Sequence, residues 1–138
     1  MTRFGLTAEP IDPDQIRPSQ PEPETGSVVC FEGRVRNHHR GRGVTALSYS
    51  AYVELCLTEG QSILDEAENR FAIHSARAVH RYGPIPIGEC AVWIEIESSH
   101  RADGFEACRY VIDEMKKRLP IWKHETYEDG TSEWVQPE

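Results

Sequence analysis

Glu89-Cys90-Ala91-Val92-Trp93-Ile94-Glu95-Ile96-Glu97 decides how this chain folds. Val92, Ile94 and Ile96 alternate with Trp93, Glu95 and Glu97. Successive side chains of a strand point to opposite faces, so the stretch reads as a half-buried strand, apolar inside and polar outside. Just downstream the period changes. Phe105, Cys108, Ile112, Met115 and Leu119 recur at intervals of three and four, the stripe of an amphipathic helix. Asp103 and Glu106 fit a capping pair at its start. Pro120, with its fixed φ and no N–H, ends it.

Working outward, the same two periods organise the rest. Residues 73–82 read as a strand closed by the turn Gly83-Pro84-Ile85-Pro86. Before it, Val53, Cys56, Leu57, Gly60, Ile63, Leu64, Ala67 and Phe71 form a second helical stripe. Gly60 on that apolar side predicts close approach of another backbone. Residues 27–36 and 44–52 read as strands, the latter with Leu47, Tyr49 and Ala51 on one face. Between them Asn37-His38-His39-Arg40-Gly41-Arg42-Gly43 is polar and glycine-bearing, which predicts an exposed, mobile loop. Downstream, Asp129-Gly130 between β-prone runs predicts a hairpin over 122–135. The proline-rich arm, 1–25, carries Pro10, Pro13, Pro18, Pro21 and Pro23, leaving room only for an edge strand at Arg3–Thr7. The order predicts an α+β fold with a mostly antiparallel sheet and two main helices. With no internal repeat or linker, residues 1–138 read as one domain.

Composition narrows the function. Of the 138 residues, 38% are hydrophobic and 28% charged, as in an ordinary globular protein. No apolar run is long enough to span a bilayer, and residues 1–10 lack a signal peptide's apolar core, which predicts a cytoplasmic protein. A net charge of −8 argues against nucleic acid as a partner. Yet all three lysines, Lys116, Lys117 and Lys123, fall in one short stretch with Arg118, and Arg34, Arg36, Arg40 and Arg42 form another. Folded together, they would make one positive pocket on a negative body, suited to a small anion. Cys30, Cys56, Cys90 and Cys108 form no CxxC pair and read as small buried hydrophobes. His38-His39 lacks a third ligand at sensible spacing, so no metal is expected.

Three constellations could carry chemistry. Lys116 sits in the last helical turn, and Lys123 leaves on the segment after Pro120. Lysine has a pKa of about 10.4 in water and is a poor nucleophile or base until burial or neighbouring cations depress it. The alternative is a pair of solvated cations at a helix C-terminus. Arg34 and Arg36 alternate onto one strand face and could grip a phosphate, or simply face solvent. Ser98-Ser99-His100-Arg101 stands where a strand meets a helix N-terminus, a place for an anion or for a cap. His80-Arg81, before a turn, reads as structural. The same groups would also serve a non-catalytic phosphate- or nucleotide-binding module, or a scaffold docking an acidic protein.

Six ordered blocks are similar to one family. Phe31-x-Gly33-x-Val35-Arg36-Asn37, Tyr49-x-Ala51-Tyr52, His80-Arg81-x-Gly83 and Ser99-His100-Arg101 are four of them. The most specific is Lys116-x-x-x-Pro120-Ile121-Trp122-Lys123-x-Glu125, and Gly130…Trp134-Val135 closes the series. From 31 to 135 the chain resembles the large subunit of molybdopterin synthase. The resemblance implies a hammerhead α+β fold and a homodimer. Each protomer would bind a small ubiquitin-like sulfur carrier, whose C-terminal Gly-Gly thiocarboxylate enters the pocket, giving a heterotetramer. It implies cyclic pyranopterin monophosphate as substrate, the molybdopterin dithiolene as product and no cofactor. By motif, Lys116 and Lys123 are the catalytic lysines. Arg36, His100 and Arg101 bind the anion, the last two across the dimer interface, with Arg34 and Lys117 as further substrate-binding candidates. The chain ends Gln136-Pro137-Glu138 without Gly-Gly, so it is not expected to be the carrier, and sulfur arriving on a partner requires no reactive cysteine here. Ser50, Leu55 and Cys56 depart from the family pattern and bear on the pocket wall and carrier contact.

Overall fold

A computed structural model describes residues 2–17 and 22–135. Pro18, Pro21 and the terminal Gln136-Pro137-Glu138 lie outside the described residues. The elements are β1 (Arg3–Thr7), α1 (Pro13–Ile16), β2 (Ser27–Arg34), β3 (His38–His39), β4 (Arg42–Ala51), α2 (Val53–Arg70), β5 (Ile73–Arg81), β6 (Gly83–Pro84), β7 (Cys90–Ser98), α3 (Arg101–Arg118), β8 (Ile121–Tyr127) and β9 (Ser132–Val135). They form two sheets. The first runs β1-β5-β7-β2, and the second β3-β4-β8-β9, with β6 on β4. β1–β5 is parallel and the other pairs are antiparallel. The α+β class, the antiparallel bias and the two long helices agree with the sequence, and α1 adds a single turn.

α2 and α3 cover one face of the first sheet. Ile63, Leu64 and Ala67 of α2 and Ala107, Val111 and Met115 of α3 join Ala76, Ala78, Ile94 and Ile96 in one core. The α3 stripe is rotated from the one expected. Gly104, Ala107, Cys108, Val111 and Met115 are buried, whereas Phe105 is 61% exposed. The helix starts at Arg101, so Asp103 and Glu106 lie inside it instead of capping it. Gly60 does mark a close approach, though of a ring and not of a backbone. A Cβ there would stand 2.4 Å from Phe4 of β1.

β7 is buried on both faces, not one. Trp93, Glu95 and Glu97 are as inaccessible as Ile94 and Ile96. A buried carboxylate is costly unless paired. Arg77 of β5 bridges both glutamates, at 3.0 Å from Glu95 and in a close pair with Glu97. Arg17, just after α1, bonds Glu95 at 2.6 Å and lies over the Trp93 ring. The proline-rich arm therefore meets the polar face of β7, and alternation alone could not reveal that cover.

The expected loop at 37–43 is a tight hairpin. Arg40 and Gly41 take positive φ, β3 pairs with β4, and His39 is buried. Asp129-Gly130 turns β8 into β9 as expected, with Gly130 at φ 85°. Cys56 and Cys108 are buried, but Cys90 is half-buried and Cys30 exposed on the edge strand β2, against the reading of all four as buried.

Candidate functional site

Three basic residues follow one another at the end of α3 and go three ways. Successive side chains on a helix are separated by about 100°. Lys116 turns into a cleft with Ile112, Met115 and Leu119. Lys117 points to solvent, 3.5 Å from Glu114, outside the cleft lining. Arg118 crosses to α2 and binds Glu59 and Glu66, each at 2.7 Å. Pro120 then turns the chain into β8, where alternation sends Trp122 outward and Lys123, Glu125 and Tyr127 inward.

The cleft occupies the seam between the two sheets and has a volume of about 330 Å³. Such a volume suits a small organic ligand. Lys116 and Lys123 line it together with Arg34 and Arg36 at the end of β2. A register shift between Gly33 and Arg34 marks that end. Arg34 already bonds Glu32 at 2.9 Å. Phe31, Val92 and Met115 supply apolar wall. Two lysines and two arginines widely separated in sequence thus meet in one concavity.

Two further cleft residues are Tyr49 of β4 and His80 of β5, in edge-to-face contact with ring centroids 5.0 Å apart. Burial pushes the Tyr49 hydroxyl up to about 12, helped by the charge of Glu125 and opposed by Arg36. Burial pushes His80 down to about 4; its bond to the Arg81 carbonyl opposes this, and Lys116 adds to it. His80 is therefore neutral at pH 7. Its Nδ1 lies 2.7 Å from that carbonyl, which only accepts, so Nδ1 carries the proton and Nε2 is an acceptor. Below Lys123, Glu125 is 3% exposed and its Oε2 stands 3.9 Å from Nζ. Sequence alone reads His80 as structural and gives Tyr49 and Glu125 no site role. The Lys123-x-Glu125 spacing, period two on a strand, is the signal that puts both on one face.

His100 and Arg101 are exposed at the N-terminal end of α3 and do not line the cleft. The helix is 18 residues long, so its ends are about 27 Å apart. His100 is the N-cap residue, but its side chain makes no capping bond. Ser50, Leu55 and Cys56 also lie outside the cleft lining. Among the described residues no three His, Cys, Asp or Glu side chains cluster as metal ligands, and no helix is long and apolar enough to cross a membrane.

The MoaE protein family model matches residues 6–118. The chain belongs to the MoaE family. A MoaE-family relative, the molybdopterin synthase catalytic subunit of Thermoplasma volcanium, is 40% identical over 133 residues, covering 96% of this chain and 97% of its own. The protein of that name from Staphylococcus carnosus is 38% identical over 135 residues, covering 98% and 89%. The crystal structure of molybdopterin synthase from Staphylococcus aureus superposes with a TM-score of 0.87 at 36% identity, over 98% of each chain. The expected family and fold are those found.

Proposed function

We propose that this chain is the catalytic subunit of a molybdopterin synthase, a sulfurtransferase acting on cyclic pyranopterin monophosphate. The observation that carries the reading is the convergence of Lys116 and Lys123 with Arg34 and Arg36 on one cleft. The arginines bind the phosphate, Arg36 foremost, because Glu32 engages Arg34. The apolar wall and the neutral His80 accommodate the ring system. A small ubiquitin-like carrier inserts its Gly-Gly thiocarboxylate. Its sulfur attacks the pterin carbon between the two lysines as the C–O bond there breaks. Water then cleaves the acyl–sulfur bond and frees the carrier as its carboxylate, and a second thiocarboxylated carrier delivers the second sulfur. One ammonium group moves the proton, and the other stabilises the negative charge that develops. The chain needs no cofactor for these steps. Both sheets wall the cleft, which supports reading residues 1–138 as one domain, and we place the protein in the cytoplasm.

His100 and Arg101 enter through a homodimer inside a heterotetramer. Two α3 helices packed antiparallel about a twofold axis would bring one protomer's His100 and Arg101 to its partner's Lys116. Exposed Val28 on the free edge of β2 and exposed Phe105 on α3 offer apolar surface for that contact. Lys117, in solvent, is left to the carrier or to long-range attraction.

Reconstitution with a thiocarboxylated carrier and the cyclic pterin tests the reading, with product followed as its fluorescent oxidised derivative. Folded Lys123→Ala and Lys116→Ala variants should each lose at least about a hundredfold in rate. Wild-type turnover by either variant would remove that lysine from the mechanism.

A further inference from the structure

Beneath Lys123 lies a set of buried polar groups that the mechanism above leaves unused. Glu125 shows one oxygen to Lys123, Oε2 at 3.9 Å from Nζ, and the other to His39, Oε1 at 3.2 Å from Nδ1. His39 is 5% exposed and Glu125 3%. The Tyr127 hydroxyl stands 3.1 Å from the same Oε1 and 2.9 Å from Glu133. The other groups facing this set are Tyr49, which feels the Glu125 charge, and Arg42, which lies over the Tyr127 ring and pairs with Glu133. Arg36 acts on the far side of Tyr49.

One carboxylate thus serves three groups, Lys123, His39 and the Tyr127 hydroxyl. Out of water its orientation is fixed by the groups around it, and its pull on each partner depends on what the others withdraw. The β3–β4 hairpin brings His39 to this place, while its neighbour His38 remains exposed.

We propose that His39 is a positioning residue for Lys123, acting through Glu125 to aim the ammonium group into the cleft. The proposal rests on Lys123 acting in sulfur transfer. Without His39, only Tyr127 shares the Glu125 charge with Lys123, which then sits deeper and gives up its proton less readily.

The test uses the full chain and three variants. His39→Leu fills the space without a polar atom, His39→Asn keeps a nitrogen near the position of Nδ1, and Glu125→Gln removes the charge. Two readouts are taken: steady-state kinetics in the reconstituted reaction, and NMR titration of the Lys123 side chain, which needs no turnover. His39→Leu is expected to lower kcat about tenfold while KM for the carrier stays within about twofold. It should also raise the Lys123 midpoint by about one pH unit, and Glu125→Gln should lower it. His39→Asn should stay within about threefold of the wild-type kcat. A His39→Leu variant with unchanged kcat and an unmoved Lys123 midpoint overturns the proposal, as does His39→Asn impaired as severely as His39→Leu. If His39→Leu does not fold, His39→Ala decides on the same two readouts, and an unchanged kcat with an unmoved Lys123 midpoint overturns the link. If Lys123→Ala turns over normally, the functional reading fails, while the Lys123 titration still answers for His39.

Discussion

Arg34 and Arg36 differ in what already holds them. Arg34 Nε spends a hydrogen bond on Glu32, two residues away on the same strand, whereas Arg36 stands past the end of β2 at the cleft. Arg36→Ala should therefore raise KM for the phosphate-bearing substrate by about tenfold or more, against a few-fold for Arg34→Ala. Equal effects in steady-state kinetics would refute that ranking. His80 makes a second prediction at this scale. With its folded pKa near 4 against 6.5 in the unfolded chain, the folded state refuses a proton that the unfolded state takes. Its contribution to stability is present above pH 6.5 and declines as pH falls from there toward 4. A ring-nitrogen NMR titration should give a midpoint well below 6.5, with the proton on Nδ1 until then.

At the scale of elements, β1 docks on α2 through one glycine. The Phe4 ring occupies the place of the missing Gly60 side chain, and a methyl group there has no room. Gly60→Ala should cost about 1–3 kcal/mol despite its better helix propensity, measured by urea unfolding. A stabilised variant would mean that the ring moves freely. α2 and α3 are clasped by Arg118, which reaches Glu59, Glu66 and Glu114. Arg118 and then Tyr110 hold the Glu66 carboxyl down to about 2. A depressed carboxylate stabilises the fold above its unfolded pKa of 4.5, and that stability drains away as pH falls toward 2. The melting temperature of the wild-type chain should fall more steeply between these limits than that of Glu66→Gln. Parallel acid profiles would show that the clasp contributes nothing.

At the scale of the whole molecule, the question is whether one chain can complete its own site. His100 and Arg101 stand at the far end of α3 from the cleft. If the partner protomer supplies them, Lys123→Ala and Arg101→Ala homodimers are each inactive. Exchanging subunits between them makes hybrids with one intact site. A random equal mixture should recover about a quarter of wild-type activity, since half the dimers are hybrid and half their sites work. No recovery after verified exchange would show that Arg101 does not act across the interface.

Local chemistry wrote most of the secondary structure. Alternation in β7, the three-and-four spacing in α2, Pro120 after α3 and Asp129-Gly130 between β8 and β9 each act over a few residues, so they can be read from a few residues. The cluster of all three lysines in one stretch, with arginines in another, likewise announced a cleft lined by cations, and ordered motifs announced the MoaE family. Other features are set by partners distant in sequence. Burial of Glu95 and Glu97 depends on Arg77 and Arg17, and the glycine at 60 matters because Phe4 fills it. Which of Lys116, Lys117 and Arg118 enters the cleft depends on the helix phase, itself set by packing against the sheet. His39 meets Glu125 because β3 and β8 both flank β4 in the second sheet, and His80 loses its proton because it is buried at the seam, against Tyr49 of β4. Periodicity tells a side chain which way to point, but only the assembled sheets supply what it meets, and that meeting sets burial, pairing and charge.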